Sequence, residues 1–124
     1  MRLYDWEEVK AEQVTELYSR KVALGDNLSI AKLEVKQGAA TRMHSHDNEE
    51  VVVVLKGVWQ FFLPTGDVTL RANQMLTIPA GTEHGSRVLE DVVALDICSP
   101  ARIDWISGED RILHHDPDQS LWGV

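Results

Sequence analysis

Three residues in one short stretch can do chemistry together: His44, His46 and Glu50. His44 and His46 are two apart, so on an extended strand both imidazoles point to one face. Glu50 has the same parity if Ser45 to Glu49 keep the alternation. The run that follows, VVVVL, reads as a strand buried on both faces. Two histidines and a carboxylate aimed into such an interior are costly to desolvate unless something binds them, and a divalent metal meets that need. A fourth candidate is His84, which follows the tight turn Pro79-Ala80-Gly81 at the start of another strand. Three imidazoles and one carboxylate suit one divalent transition metal (zinc, nickel, iron, manganese or copper) and disfavour calcium and magnesium. Four protein ligands leave positions on such a metal open to water or substrate. His114 and His115 are adjacent in a polar tail and read as solvated surface histidines, with Asp116 and Asp118 as surface carboxylates.

A further carboxylate stands in VVALDIC, which is otherwise apolar. By alternation Val92, Ala94, Asp96 and Cys98 share one face, and Val93, Leu95 and Ile97 the other. Burial raises a carboxylate's pKa, which makes it useful as an acid or base near neutrality. The competing assignment is a structural Asp96 paired with an arginine. Arg42 shares the parity of His44 and is a second candidate cation near the site. Cys98, Met43 and Met75 read as packing, and Trp59, Phe61 and Phe62 as barrel filling or intersheet contact.

The elements that carry these residues are short strands. LYSRKVAL and LSIAKLEV flank Gly25-Asp26-Asn27 as a hairpin. VVVVL, a turn at Lys56-Gly57, VWQFFL, a turn at Pro64 to Asp67, VTLR, LTI, HGSRV and VVALDIC follow. Strands at this spacing predict an all-β sandwich or barrel. Residues 5–18 fit either one helical face or a loop feeding a strand, and residues 103–124 read as a tail that docks on the body or on a partner chain. With 124 residues, 44% of them hydrophobic and 26% charged, the chain is expected to form one globular domain. Its net charge of -8 argues against nucleic acid and against an anionic membrane surface. The charged start MRLYDWEEVK does not read as a secretory signal, and a single cysteine allows no internal disulfide, so a cytoplasmic location is expected.

Gly38, His44, His46, Glu50 and Gly57 form G-x5-H-x-H-x3-E-x6-G, which resembles the first motif of the cupin superfamily at every fixed position. The second motif, G-x5-P-x-G-x2-H-x3-N, is matched by Pro79, Gly81 and His84, with Asn73 and Val88 replacing its outer residues. Asn tolerates positive φ nearly as glycine does. The resemblance implies a jelly-roll β-barrel over about residues 17–102, with short N- and C-terminal extensions, a metal in the lumen and a homodimer. Asp96, Ser99, Pro100, Arg102, Asp104 and Trp105 add a resemblance to the small cupins of pectin and alginate breakdown that linearise unsaturated uronates. That family implicates in catalysis the residues matching Asp96 and Arg102. Two departures stand out: the family's phenylalanine falls on Cys98, and its usual glutamine is Glu50. An ionised Glu50 lowers the charge of a site holding a divalent ion from +2 to +1, so a carboxylate substrate leans more on Arg102 and Arg42. Trp6, Trp105 and Trp122 lie outside the motifs and are candidates for a dimer contact.

Three functions fit these residues. One is ring opening and tautomerisation of an unsaturated uronate, a small-molecule substrate. The second is an Fe(II)-dependent dioxygenase. The third is a non-catalytic small-ligand-binding cupin.

Overall fold

A computed structural model describes residues 1–116; Asp118 and Trp122 lie outside them. The strands are β1 (Glu12–Gln13), β2 (Tyr18–Leu24), β3 (Ser29–Val35), β4 (Ala40–His44), β5 (Glu49–Leu63), β6 (Gly66–Arg71), β7 (Met75–Ile78), β8 (His84–Ser99) and β9 (His114–His115). A five-residue helix, α1 (Ile103–Ser107), and a 3-10 turn at Glu109–Leu113 precede β9. The architecture is all-β, as the strand spacing predicts. The segment at residues 5–9 is a turn, with the amides of Glu8 and Val9 donating to the Asp5 carbonyl.

All pairings are antiparallel, and two long strands organise them. β5 and β8 pair along most of their length, from Glu49 opposite Ser99 to Phe62 opposite Gly85. On its other edge β8 takes β4 at His84–Arg87 and β3 at Val92–Cys98. On its other edge β5 takes β7 at Glu50–Val53 and β6 at Val58–Leu63. Each long strand therefore changes partner near its middle, and the sheet curls there.

Two sequence expectations are corrected by this arrangement. Lys56-Gly57 is not a turn but an irregularity within β5, where its register against β8 shifts. Gly57 has φ +93°, and a Cβ there would stand 2.0 Å from the Asp91 carbonyl oxygen, so the bend needs a residue without a side chain. HGSRV and VVALDIC are likewise one strand, β8. Leu89-Glu90-Asp91 between them reads as a break but is the exposed bend where β8 changes neighbours.

The core is the inward face of the curl. Val52, Val54, Ala94, Cys98, Ala31 and Leu33 are fully buried, and Trp59, Phe61, Leu70 and Ile78 pack with them. VVVVL buries only one face completely, since Val51 and Val53 are intermediate. Each large aliphatic or aromatic side chain buried there contributes about 1.5–3 kcal/mol. Phe62 instead faces an outer groove, and Met43 and Met75 are exposed rather than packed. Trp105 joins the core, which withdraws it from the dimer contact expected of it.

The C-terminal segment docks on the body through buried polar contacts. Asp110 is fully enclosed and accepts from both terminal nitrogens of Arg20, the Nη2 bond measuring 2.9 Å. His114 Nε2 lies 3.2 Å from Asp110, and Asp116 accepts from the Thr15 hydroxyl and the Glu16 amide. His114, His115 and Asp116 are therefore buried, contrary to their expected place on the surface. β9 pairs with β4, setting Thr41 opposite His114 and Ala40 opposite His115.

Candidate metal centre

His44 ends β4 and sits directly opposite His84, the first residue of β8. Their rings are 4.4 Å apart. Gly85 permits this closeness, because a Cβ there would come within 2.9 Å of the Thr41 carbonyl. His46 is not on the strand at all but in the loop between β4 and β5, so strand alternation is not what aligns it with His44. Its carbonyl accepts from the Gly81 amide at 2.8 Å, which ties the loop to the turn that delivers His84. Glu50 enters from β5, between Cys98 of β8 and Ile78 of β7. The three histidines offer nitrogens within 4.8 Å of one another.

Hydrogen bonds decide what those nitrogens can do. Each Nδ1 faces a backbone carbonyl: His44 that of Arg42 at 2.6 Å, His46 that of Asn48 at 3.0 Å, and His84 that of Thr82 at 2.8 Å. A proton on each Nδ1 leaves each Nε2 with a lone pair. The Nε2 atoms of His46 and His84 both lie 3.1 Å from Glu50 Oε1. Lone pairs converging on a carboxylate repel unless a cation stands among them. This donor set therefore fits a divalent transition metal, with backbone carbonyls fixing the tautomer and orientation of each imidazole. Burial above all, with the neighbouring histidines, lowers the His44 pKa to about 4, so that ring is neutral and able to ligate at pH 7. Burial opposes ionisation of Glu50, but hydrogen bonds from His46, His84 and Asp96 outweigh it and hold Glu50 well below the usual carboxylate range. Burial also opposes a charge on His84, yet the Glu50 carboxylate outweighs it and raises that pKa.

Asp96 lies on the inward face of β8, as the alternation predicts, and is 7% exposed. It forms a buried group with Glu50 and Cys98. Burial first, and the Glu50 charge second, push its carboxyl pKa well above the usual range. Its Oδ1 is buried with no hydrogen-bond partner among the described residues. Arg102 is 5% exposed and lines the same cavity, but two of its nitrogens bind Asp104 at 2.7 and 2.6 Å. Its guanidinium lies 5.3 Å from the centre of the Trp105 ring. Arg42 is not among the residues that line the cavity. Burial raises the pKa of the Cys98 thiol far above its ordinary value, which leaves it inert packing.

The cavity beside these residues measures about 30 Å³, room for an ion and its water. Its wall includes residues that local sequence patterns do not mark: Tyr18, Ser86, Leu113 and His114. Among the described residues, no helix is long and apolar enough to cross a membrane.

Among solved structures, KdgF from Halomonas sp. superposes with a TM-score of 0.77 at 24% identity, over 84% of this chain and 99% of that one. An RmlC-like cupin from Shewanella frigidimarina gives a TM-score of 0.78 at 22% identity, over 85% and 96% of the two chains. Ectoine synthase from P. lautus gives 0.77 at 16% identity, over 100% and 99%. At these identities the likeness is one of fold. Comparison with curated protein sequences gives no match. The family model described as "Cupin domain" matches residues 31–98, more than half of the chain, and both halves of the histidine cluster lie within that span; the chain belongs to the cupin family.

Proposed function

We propose that this cupin is a metal-dependent enzyme that opens the ring of a small unsaturated uronate and tautomerises the product. His44, His46, Glu50 and His84 would hold one divalent transition metal, which supplies Lewis-acid polarisation of a bound carboxylate or ring oxygen. The chemistry is an isomerisation. The anomeric hydroxyl loses its proton, the bond from the anomeric carbon to the ring oxygen breaks, and an aldehyde and an enol result. The enol oxygen then gives up its proton while C4 gains one, leaving a ketone. No atom leaves and no redox partner is needed.

One observation carries the proposal: Asp96 and Arg102 line the same cavity as His44, Glu50 and His84. Asp96, whose carboxyl pKa burial raises and whose Oδ1 has no hydrogen-bond partner among the described residues, suits proton delivery to carbon and recovery from oxygen. Arg102 retains donors beyond those given to Asp104 and suits a substrate carboxylate. The likeness to KdgF points the same way. The wall segment at Leu113–His114 rests on the two-residue strand β9 and on the Arg20–Asp110 pair.

The test is turnover of an unsaturated galacturonate released by a pectate lyase, followed by loss of its conjugated ultraviolet absorbance. Wild-type protein loaded with zinc, nickel, iron or manganese should consume it. Oxygen uptake coupled to turnover would instead identify a dioxygenase, and no turnover with any of these metals would remove the uronate assignment.

A further inference from the structure

Tyr18 is a buried phenol whose ring is fixed and whose hydroxyl is not. It opens β2, is 6% exposed, and lines the cavity together with His44, Glu50, His84, Asp96 and Arg102. Among the described residues its hydroxyl has no hydrogen-bond partner. Neighbouring polar groups on the same wall are engaged. Thr41 Oγ1 meets His114 Nδ1 at 3.1 Å, His114 Nε2 meets Asp110 at 3.2 Å, and Arg102 grips Asp104.

The ring is held by this same chain of contacts. It stacks on the His114 imidazole with centroids 4.3 Å apart. His114 is clamped between Thr41 and Asp110, and Asp110 is gripped by Arg20, two residues along β2 from Tyr18 and on the same face. A buried ion pair thus sets the position of a phenol whose hydroxyl has no hydrogen-bond partner among the described residues. Burial raises the Tyr18 pKa well above its ordinary value, so the group is a donor and not a base.

We propose that Tyr18 is a substrate-binding residue whose hydroxyl donates a hydrogen bond to an oxygen of a sugar acid seated at the His44–His46–Glu50–His84 cluster, with Arg20, Asp110 and His114 as its positioning residues. This rests on the uronate function proposed above and adds to it a contact on a different strand from Asp96 and Arg102.

The experiment compares wild type with Tyr18→Phe in the full chain, loaded with one metal. Melting temperature and metal content are measured first, then galacturonate affinity by calorimetry, then kcat and KM on the unsaturated galacturonate. Tyr18→Phe should keep its metal and its melting temperature and bind galacturonate about tenfold more weakly. Its loss in kcat/KM should fall mainly on KM. Loss of metal or a markedly lower melting temperature would make the hydroxyl structural and overturn the proposal. Equal galacturonate affinity in the two proteins, with turnover unchanged in both, would overturn it while leaving the uronate function intact. Weaker galacturonate binding by Tyr18→Phe, with no uronate turnover even by wild type, would end the uronate function and leave the Tyr18 contact standing. A wild-type protein that binds no galacturonate overturns the Tyr18 contact.

Discussion

Glu50 Oε1 lies 3.1 Å from His84 Nε2, across a gap that only a cation or a proton can bridge favourably. His84 Nδ1 already faces the Thr82 carbonyl, so the proton that would satisfy Nε2 must come at the cost of a charged ring. A bound divalent metal removes that conflict, and binding to the folded state alone adds stability. Purified protein is expected to hold about one transition metal per chain. Chelation should lower the melting temperature by on the order of 10 °C, taking a metal present at a thousandfold excess over its Kd. Elemental analysis and melting curves before and after chelation check this.

Glu50→Gln tests the charge of the same site. The substitution keeps an oxygen ligand and removes one negative charge from a buried cluster. Metal affinity should fall by about 10–100-fold, because a neutral amide is the weaker ligand and a buried partner of His46 and His84 is lost. Once metal is saturating, galacturonate should bind more tightly than to wild type. Calorimetric titration of metal, then of galacturonate, separates the two effects.

Asp96→Asn isolates proton transfer from metal binding. The asparagine is nearly isosteric and cannot exchange a proton. Metal content should be unchanged, and turnover of unsaturated uronate should fall by on the order of 10²–10⁴. Full activity in the variant would take Asp96 out of the mechanism.

The candidate ligands were legible because motif spacing survives a wrong local account of how the chain meets it. Strand alternation was expected to align His44, His46 and Glu50, yet His46 stands in a loop that the Gly81 amide pins in place. Asp96 was legible for the stated reason, since β8 alternates as read. Asn73, in place of the second motif's first glycine, takes φ +71° as its chemistry allows. That the C-terminal segment docks is legible in its scattered apolar residues, but the buried polar contacts that hold it are not. His114 and Asp110 look like polar tail residues, and the partner that buries them, Arg20, is 90 residues away from Asp110. Tyr18 fits an ordinary strand pattern, and only the curl of the sheet sets it beside the histidines. Gly57 reads as a turn in the sequence because a glycine after a strand marks a turn or a bulge equally well.

Gly57→Ala tests the bend of β5. The added Cβ would meet the Asp91 carbonyl oxygen at 2.0 Å, in a backbone conformation that disfavours any side chain. The clash is with backbone on the facing strand, so a side-chain shift cannot relieve it. Destabilisation of about 3 kcal/mol or more is expected, read as a lower urea midpoint with an unchanged slope.

The Arg20–Asp110 pair predicts how the fold responds to acid. Burial opposes a charge on Asp110, but its hydrogen bonds from His114 and Arg20 outweigh that and hold its pKa far below the usual value. Glu12, bonded to Arg20 and Arg111, is shifted downward as well, although burial works against it. A carboxyl whose folded-state pKa is depressed binds its proton more readily when unfolded. Its stabilisation is therefore complete above the unfolded value of about 3.9 and is lost as pH falls from there toward the folded pKa. Asp110→Asn removes that dependence and leaves Arg20, among the described residues, with Glu12 as its charged partner, a loss of about 3–5 kcal/mol at neutral pH. Urea midpoints of wild type and Asp110→Asn should differ most above about pH 4 and converge as pH drops below it. A gap that stays constant down to pH 2 would show that the carboxylate charge does not hold the C-terminal segment over the cavity.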